Sequence, residues 1–444
     1  MIMDKKIVLV GAGSTMFGPA MLMDIFLSDI LKGSTIMLHD IDKEKLELIY
    51  ELMIAEAETR KKKFVIEHTI DRAKAFKDAD FIVNSIEVGD RFELWRQDYE
   101  IPRKHGSTQI IGECGGPGGS FHAWRIIPPI IEIAKDADRI CPNAFFINFS
   151  NPMARVCLAI NRAVPNLKSI GLCHQIAVFN KDLPLMLNKK LKNLKMTVVG
   201  LNHFGFLVDL EDLKTGQNLM SEFNSKAMNY FTQKEDRFEF SKLSFEVYKK
   251  FGYFPHSGDN HLGEYLQFAE EFTETQDMID WIDLNDRLGR LIYRKVIRMQ
   301  KRLKKGNFPK EGMLPKVPSG ERAVPIIEAI STNKNSYESS VNVPNDGLVD
   351  NLPQDLIIEG PVIVNKDGVK GVRIGSLPKQ IAALLRIEAT IQDLCVEAVL
   401  KKSKELAIAC LALDPNVGSF ENADAMYNEM LSIKEQRDFL SYFK

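Results

Sequence analysis

From Lys6 to about Leu172, short, continuously apolar runs alternate with stretches whose apolar residues recur every three to four positions. The runs Ile7–Val10, Thr35–Leu38, Val65–Glu67, Phe81–Ser85, Phe145–Asn148 and Ser169–Leu172 predict strands. Ala20–Leu31, Lys43–Arg60, Ala123–Arg139 and Met153–Ala163 predict helices between them. Strands that are apolar on both faces and joined through helices predict a parallel sheet covered on both sides, a doubly wound α/β architecture.

The pattern changes after about Leu185. Leu187–Lys192 is a polar, basic connector, and helix-like segments dominate beyond it. Pro315–Pro318 and Thr332–Ser336 predict loops, and Val341–Val364 holds short β-like runs broken by Pro344, Gly347 and Pro353. One long helix is predicted from Pro378 to about Lys402, with the proline in its first turn. The reading is therefore two domains: 1–190, and a mixed, mainly helical α+β domain at 191–444.

Composition narrows the class. Of 444 residues, 45% are hydrophobic and 27% charged, as in an ordinary globular protein. A net charge of −2 gives no electrostatic reason to expect nucleic acid or an anionic membrane as partner. No run approaches the length of a bilayer span, and Met1–Lys6 leads directly into a strand without the apolar region of a secretory signal. Six scattered cysteines without a CxxC predict a reducing compartment, the cytoplasm.

Gly11-Ala12-Gly13-Ser14-Thr15 directly follows the first strand and opens a helix. Glycines there allow a tight turn and close approach of a pyrophosphate, which the helix N-terminus then receives. About 27 residues past Gly13, Asp40 ends the second strand, where an acid binds ribose hydroxyls and repels a 2′-phosphate. Asp40 also suits a helix cap. Asn84, ending the fourth strand, is placed to border the nicotinamide half. Together these predict a Rossmann-type domain that binds NAD.

Further polar motifs stand at the ends of later strands: Asn148-Phe149-Ser150-Asn151-Pro152-Met153, Gly171-Leu172-Cys173-His174-Gln175 and Leu201-Asn202-His203-Phe204. With Glu113-Cys114-Gly115-Gly116-Pro117-Gly118-Gly119, Gly258-Asp259-Asn260-His261 and Val341–Asn345, they resemble glycoside hydrolase family 4 over nearly the whole chain. The resemblance implies a lactate/malate dehydrogenase-like fold plus a family-specific C-terminal domain. It implies NAD and a divalent metal, commonly Mn²⁺, held by Cys173 and His203. It further implies oxidation at sugar C3, proton removal at C2 and elimination at C1. Asp259 is then the candidate C2 base, unless it caps a helix starting near Leu262. His174 is the candidate acid, and Asn151, Glu113, His122 and Arg125 are the candidate substrate contacts. Homodimers or homotetramers are expected.

The Asn-Pro-Met and Gly-Pro-Gly-Gly forms resemble members acting on non-phosphorylated α-glycosides: α-galactosides, α-galacturonides or α-glucosides. The run from Gly258 to Glu264 looks closest to the α-galacturonidase group. Where such relatives tend to carry Arg, however, this chain has His122, with Arg125 three residues on, leaving the cation for a uronate open. Alternatives are a phospho-glycosidase of the same family, a 2-hydroxy-acid dehydrogenase and a non-catalytic NAD-sensing module. The dehydrogenase's His-Gly-Asp loop does not occur in the sequence.

Overall fold

A computed structural model of the chain describes residues 4–15, 17–233, 242–307, 309–312, 314 and 317–443. Met1–Met3 and part of the Pro315–Pro318 loop lie outside the described residues. The strands are β1 (Lys6–Val10), β2 (Thr35–His39), β3 (Val65–Thr69), β4 (Phe81–Asn84), β5 (Phe145–Asn148) and β6 (Ser169–Gly171). They are followed by β7 (Leu194–Leu201), β8 (Phe204–Asp212), β9 (Gln217–Asn218), β10 (Ser336–Pro344), β11 (Ile357–Asn365) and β12 (Gly368–Gly371).

All twelve join one sheet, in the order β3-β2-β1-β4-β5-β6-β10-β11-β7-β8-β9, with β12 pairing β11. The first six strands are parallel, and the 3-2-1-4-5-6 order is the doubly wound one. From β6 onward the pairing is antiparallel. Along β1, Ile7 and Leu9 enter one apolar core while Val8 and Val10 enter the other. Burial on both faces explains why the strand reads as an unbroken apolar run. A third apolar core lies between the β7–β8 hairpin and helices Ile176–Leu187 and Met220–Thr232.

Several expectations shift. The first helix spans Phe17–Leu27, starting three residues before Ala20, so it sits closer to the glycine turn. The helix expected from Ala123 begins at Gly116, because Pro117 in its first turn is pre-set for helix and Gly118 and Gly119 continue it. Helix Arg91–Lys104 is absent from the sequence reading. Its apolar residues are few, and Pro102 interrupts the pattern. The second half is less helical than expected, since β7 and β8 form an antiparallel hairpin. Asn345 separates β10 from β11, its side chain bonding the Val349 amide and the Val349, Leu352 and Pro353 carbonyls. Pro378 is the cap of helix Lys379–Lys401 rather than part of its first turn. A buried Arg155–Glu388 pair, 3.2 Å apart, ties that helix to the one after β5. Among the described residues, no helix is long and apolar enough to cross a membrane.

Candidate active site at the carboxyl ends of the parallel strands

In an open parallel sheet, ligands bind beyond the strand ends where the winding reverses. Here β1 lies between β2 and β4, and that reversal opens onto the Gly11–Thr15 turn. Gly11 has φ +83°, and a Cβ on it would sit 2.9 Å from the Ser85 carbonyl oxygen. A Cβ on Gly13 would sit 2.9 Å from Asp40 Oδ2. The turn is held by Gly11 and Ala12 N–H groups donating to the His39 carbonyl, and by Gly13 N–H donating to Asp40 Oδ2 at 2.8 Å. Ser14 Oγ accepts from the Phe17 N–H. Asp40 thus braces the turn, while the cap of the following helix is Asp42, whose side chain accepts from Lys45 N–H. A glycine turn against a strand-ending carboxylate, opening into a helix N-terminus, fits a dinucleotide. Asn84 is fully buried, and its amide donates to Asn148 Oδ1 and Ser150 Oγ, joining the ends of β4 and β5.

Cys173 follows β6, and His203 is the second residue of the two-residue turn between β7 and β8. His203 adopts φ +61°, a left-handed conformation costing an ordinary residue about 1–2 kcal/mol. The turn directs the ring so that Nε2 lies 3.1 Å from Cys173 Sγ. Nδ1 is buried without a hydrogen-bond partner. Burial lowers the His203 pKa well below its ordinary value and, with Glu359 next, raises that of the Cys173 thiol. A neutral imidazole Nε2 beside a thiol Sγ is a donor set that fits a divalent cation. Binding would release the thiol proton.

Behind this pair, Asn202 donates through Nδ2 to Glu359 Oε2 at 3.0 Å. Glu359 is completely buried, accepts from Ser340 Oγ, and lies 3.6 Å from His256 Nε2. Burial opposes its ionisation, but His256, Ser340 and Asn202 together lower its pKa. Neither Glu359 nor His256 is legible as a site residue in the sequence, since Glu359 sits in a β-like run with no motif around it. Their arrangement anchors the turn that presents His203. Glu359→Gln is therefore predicted to weaken divalent-metal affinity by about ten- to a hundredfold, measured by calorimetric titration. Unchanged affinity would mean the turn holds its geometry unaided.

A second set, Cys114, His203 and Glu264, brings its ligand atoms within 4.8 Å of one another. Both Glu264 oxygens are already engaged. Oε2 accepts from the Cys114 and Gly115 N–H groups, and Oε1 lies 3.0 Å from His261 Nδ1. Glu264 therefore holds the glycine-rich turn and the His261 ring, whose centroid is 4.1 Å from that of His203.

Other expected site residues divide. Asn151 Nδ2 and Arg91 Nη2 both approach Glu113 Oε1, at 3.4 and 2.6 Å. Burial opposes ionisation of Glu113, but Arg91, then His261 and His122, lower its pKa. His174 is an exposed residue beside this group. Desolvation by neighbouring protein, then His261, lowers its pKa. Asp259 is 2% exposed, and its carboxylate accepts from the Leu243 and Ser244 N–H groups and the Ser244 hydroxyl. It caps helix Lys242–Phe251, not one starting near Leu262.

Arg125 is a correction. It is 3% exposed and forms a bidentate pair with Asp98, with Nη1 also donating to Gln436. Its two Nη groups join its own helix to those carrying Asp98 and Gln436, and its buried Nε has no partner, so a structural tie stands where a substrate contact was expected. His122 is pinned as well: Nδ1 donates to the Glu113 carbonyl at 2.9 Å, and Nε2 lies 3.3 Å from Glu87 Oε2. Burial opposes its protonation, but Glu87 raises its pKa, and Glu87 itself is lowered to about 2. Arg91, on a helix that the sequence pattern does not mark, lines a shallow recess together with Glu87, Glu113, His122 and Arg125.

Comparison with known proteins agrees with this geometry. Residues 6–189 match the family model for family 4 glycosyl hydrolases, and residues 198–417 match the model for the C-terminal domain of that family. An alpha-glucosidase of Erwinia rhapontici is 34% identical, with all of both chains covered. An alpha-galactosidase of Bacillus subtilis is 31% identical over 94% of each chain. A 6-phospho-alpha-glucosidase from gut microorganisms, solved with NAD and Mn²⁺, superimposes with a TM-score of 0.82 at 22% identity, covering 98% of each chain. The chain belongs to family 4 of the glycosyl hydrolases.

Proposed function

We propose that this enzyme hydrolyses a neutral, non-phosphorylated α-hexoside, an α-glucoside or α-galactoside, with NAD and Mn²⁺ as cofactors. The observation that carries the reading is the 3.1 Å approach of Cys173 Sγ to His203 Nε2. It lies past the end of β6, at the same carboxyl edge of the parallel strands as the Gly11–Thr15 turn past β1. In the proposed division of labour, residues 1–190 hold the dinucleotide, through Gly11, Gly13, Ser14, Thr15, Asp40 and Asn84, and 191–444 complete the sugar site. Cys173 and His203 hold the ion. When bound, the dinucleotide supplies reversible hydride acceptance and the ion Lewis-acid polarisation of sugar oxygens. Glu113, kept ionised by Arg91, accepts from sugar hydroxyls, and Asn151 donates to them. Asp259 takes the C2 proton once a Ser244 donor is released, and His174 delivers a proton to the C1 leaving oxygen. Six free cysteines, one of them a ligand, suit the cytoplasm.

The sugar class follows from charge. In the recess beside Glu113, Arg91, His122 and Arg125 are matched by Glu87, Asp98 and Glu113, so no cation is left over for a uronate or a phosphate. The alpha-glucosidase and alpha-galactosidase named above, at 34% and 31% identity, support the neutral class. Steady-state rates on 4-nitrophenyl α-glucoside, α-galactoside, both α-uronides and a 6-phospho-α-glucoside, with NAD⁺ and Mn²⁺ added, test this. The neutral pair is expected to be fastest, and a faster uronide or phosphoglycoside would overturn the assignment. No net NADH should accumulate, in contrast to a hydroxy-acid dehydrogenase.

Asp259→Asn separates base from cap. It is expected to abolish exchange of the C2 proton into deuterated water and to keep NAD⁺ and Mn²⁺ affinity. It should also cost about 1 kcal/mol of stability through the weakened cap. Full exchange in a merely less stable protein would leave Asp259 with the capping role only.

A further inference from the structure

Helix Thr275–Lys304 runs for 30 residues, about 45 Å. One face carries Met278, Ile282, Val296 and Met299, all buried against the protein. About a third of a turn around the helix from that face, Leu284, Leu288 and Leu291 are exposed, at 56%, 47% and 59%. Their four-then-three spacing is a heptad seam, and it continues through Lys295 and Arg298. Single exposed leucines are ordinary, but three in line at the centre of one helix face form an apolar stripe that needs a cover.

The charges identify the cover. Every charged residue from Asp277 to Asp286 is acidic, and every one from Arg287 to Lys304 is basic. Acid first and base last complements the helix dipole, which accounts for the terminal turns only. Leu284 and Leu291, Asp280 and Lys295, and Asp277 and Arg298 are each symmetric about the midpoint of Arg287 and Leu288. A two-fold axis through that midpoint would pack two copies of the helix antiparallel. Leu284 would then meet Leu291 of the partner subunit, and Asp280 would meet Lys295 of the partner subunit. A self-complementary patch of this kind is what a closed, isologous interface requires.

We infer that this face is a self-association surface, where two copies of the chain pair through antiparallel Thr275–Lys304 helices in the register centred between residues 287 and 288. Trp281 of the same helix packs on His261 and Trp95, with ring centroids 5.9 and 5.3 Å away, so the pairing would brace the wall of the active site.

Sedimentation equilibrium of the full chain tests both the face and the register. The wild type is expected to be dimeric or a multiple of it, and Leu288→Asp to dissociate. Asp280→Lys and Lys295→Asp should each weaken association by about tenfold or more, because like charges then face each other. Mixing those two variants in equal amounts should restore it, since every facing pair is again opposite in sign. All three positions are on exposed surface, and a wild-type far-ultraviolet circular dichroism spectrum with a cooperative melting transition confirms folding. A monomeric wild type, an undisturbed oligomer in Leu288→Asp, or no recovery on mixing would each overturn the inference.

Discussion

Replacement of His203 by alanine is expected to lower kcat/KM by on the order of a thousandfold, with NAD⁺ affinity unchanged. Removing the imidazole leaves Cys173 Sγ without the nitrogen 3.1 Å away that completes the proposed cation seat. Lewis-acid stabilisation is worth several kcal/mol, and about 4 kcal/mol corresponds to that factor. His203 also occupies φ +61°, so alanine adds backbone strain of its own. His203→Asn is the cleaner companion, because asparagine tolerates the left-handed region. Both variants should lose Mn²⁺ binding in a direct titration. Wild-type metal affinity in His203→Asn would remove His203 from the site.

Arg125→Met is expected to act on stability rather than on chemistry. Its partner Asp98 is 1% exposed and would be left as an unpaired buried carboxylate, at a cost of about 3–5 kcal/mol. The melting temperature should fall steeply, while the ratio of rates on neutral and uronate substrates stays as in the wild type. Asp98→Leu combined with Arg125→Met should recover part of the loss, because no charge is then stranded. A variant of normal stability with an altered substrate ratio would return Arg125 to the sugar site.

The legible parts of this protein are those where one physical constraint acts over a contiguous stretch. Strands β1–β6 stand out because burial on both faces makes each an unbroken apolar run, and Gly11 and Gly13 because the turn excludes a Cβ. Cys173, His203 and Asn151 are legible as strand-end motifs. The missing parts depend on distant partners. The Asp98 that occupies Arg125 lies 27 residues away, and the helix end capped by Asp259 lies about 15 residues upstream. Glu359 reaches Asn202 across 157 residues. The β7–β8 hairpin carries a weak sequence signal because neither glycine nor proline marks its Asn202-His203 turn, where a left-handed histidine stands instead.

The most direct test of the account is the X-ray absorption spectrum of the Mn²⁺-loaded enzyme at the manganese edge. A sulfur atom bonded to the metal is expected in the wild type and absent in Cys173→Ser. A wild-type spectrum fitted by oxygen and nitrogen neighbours alone would contradict it.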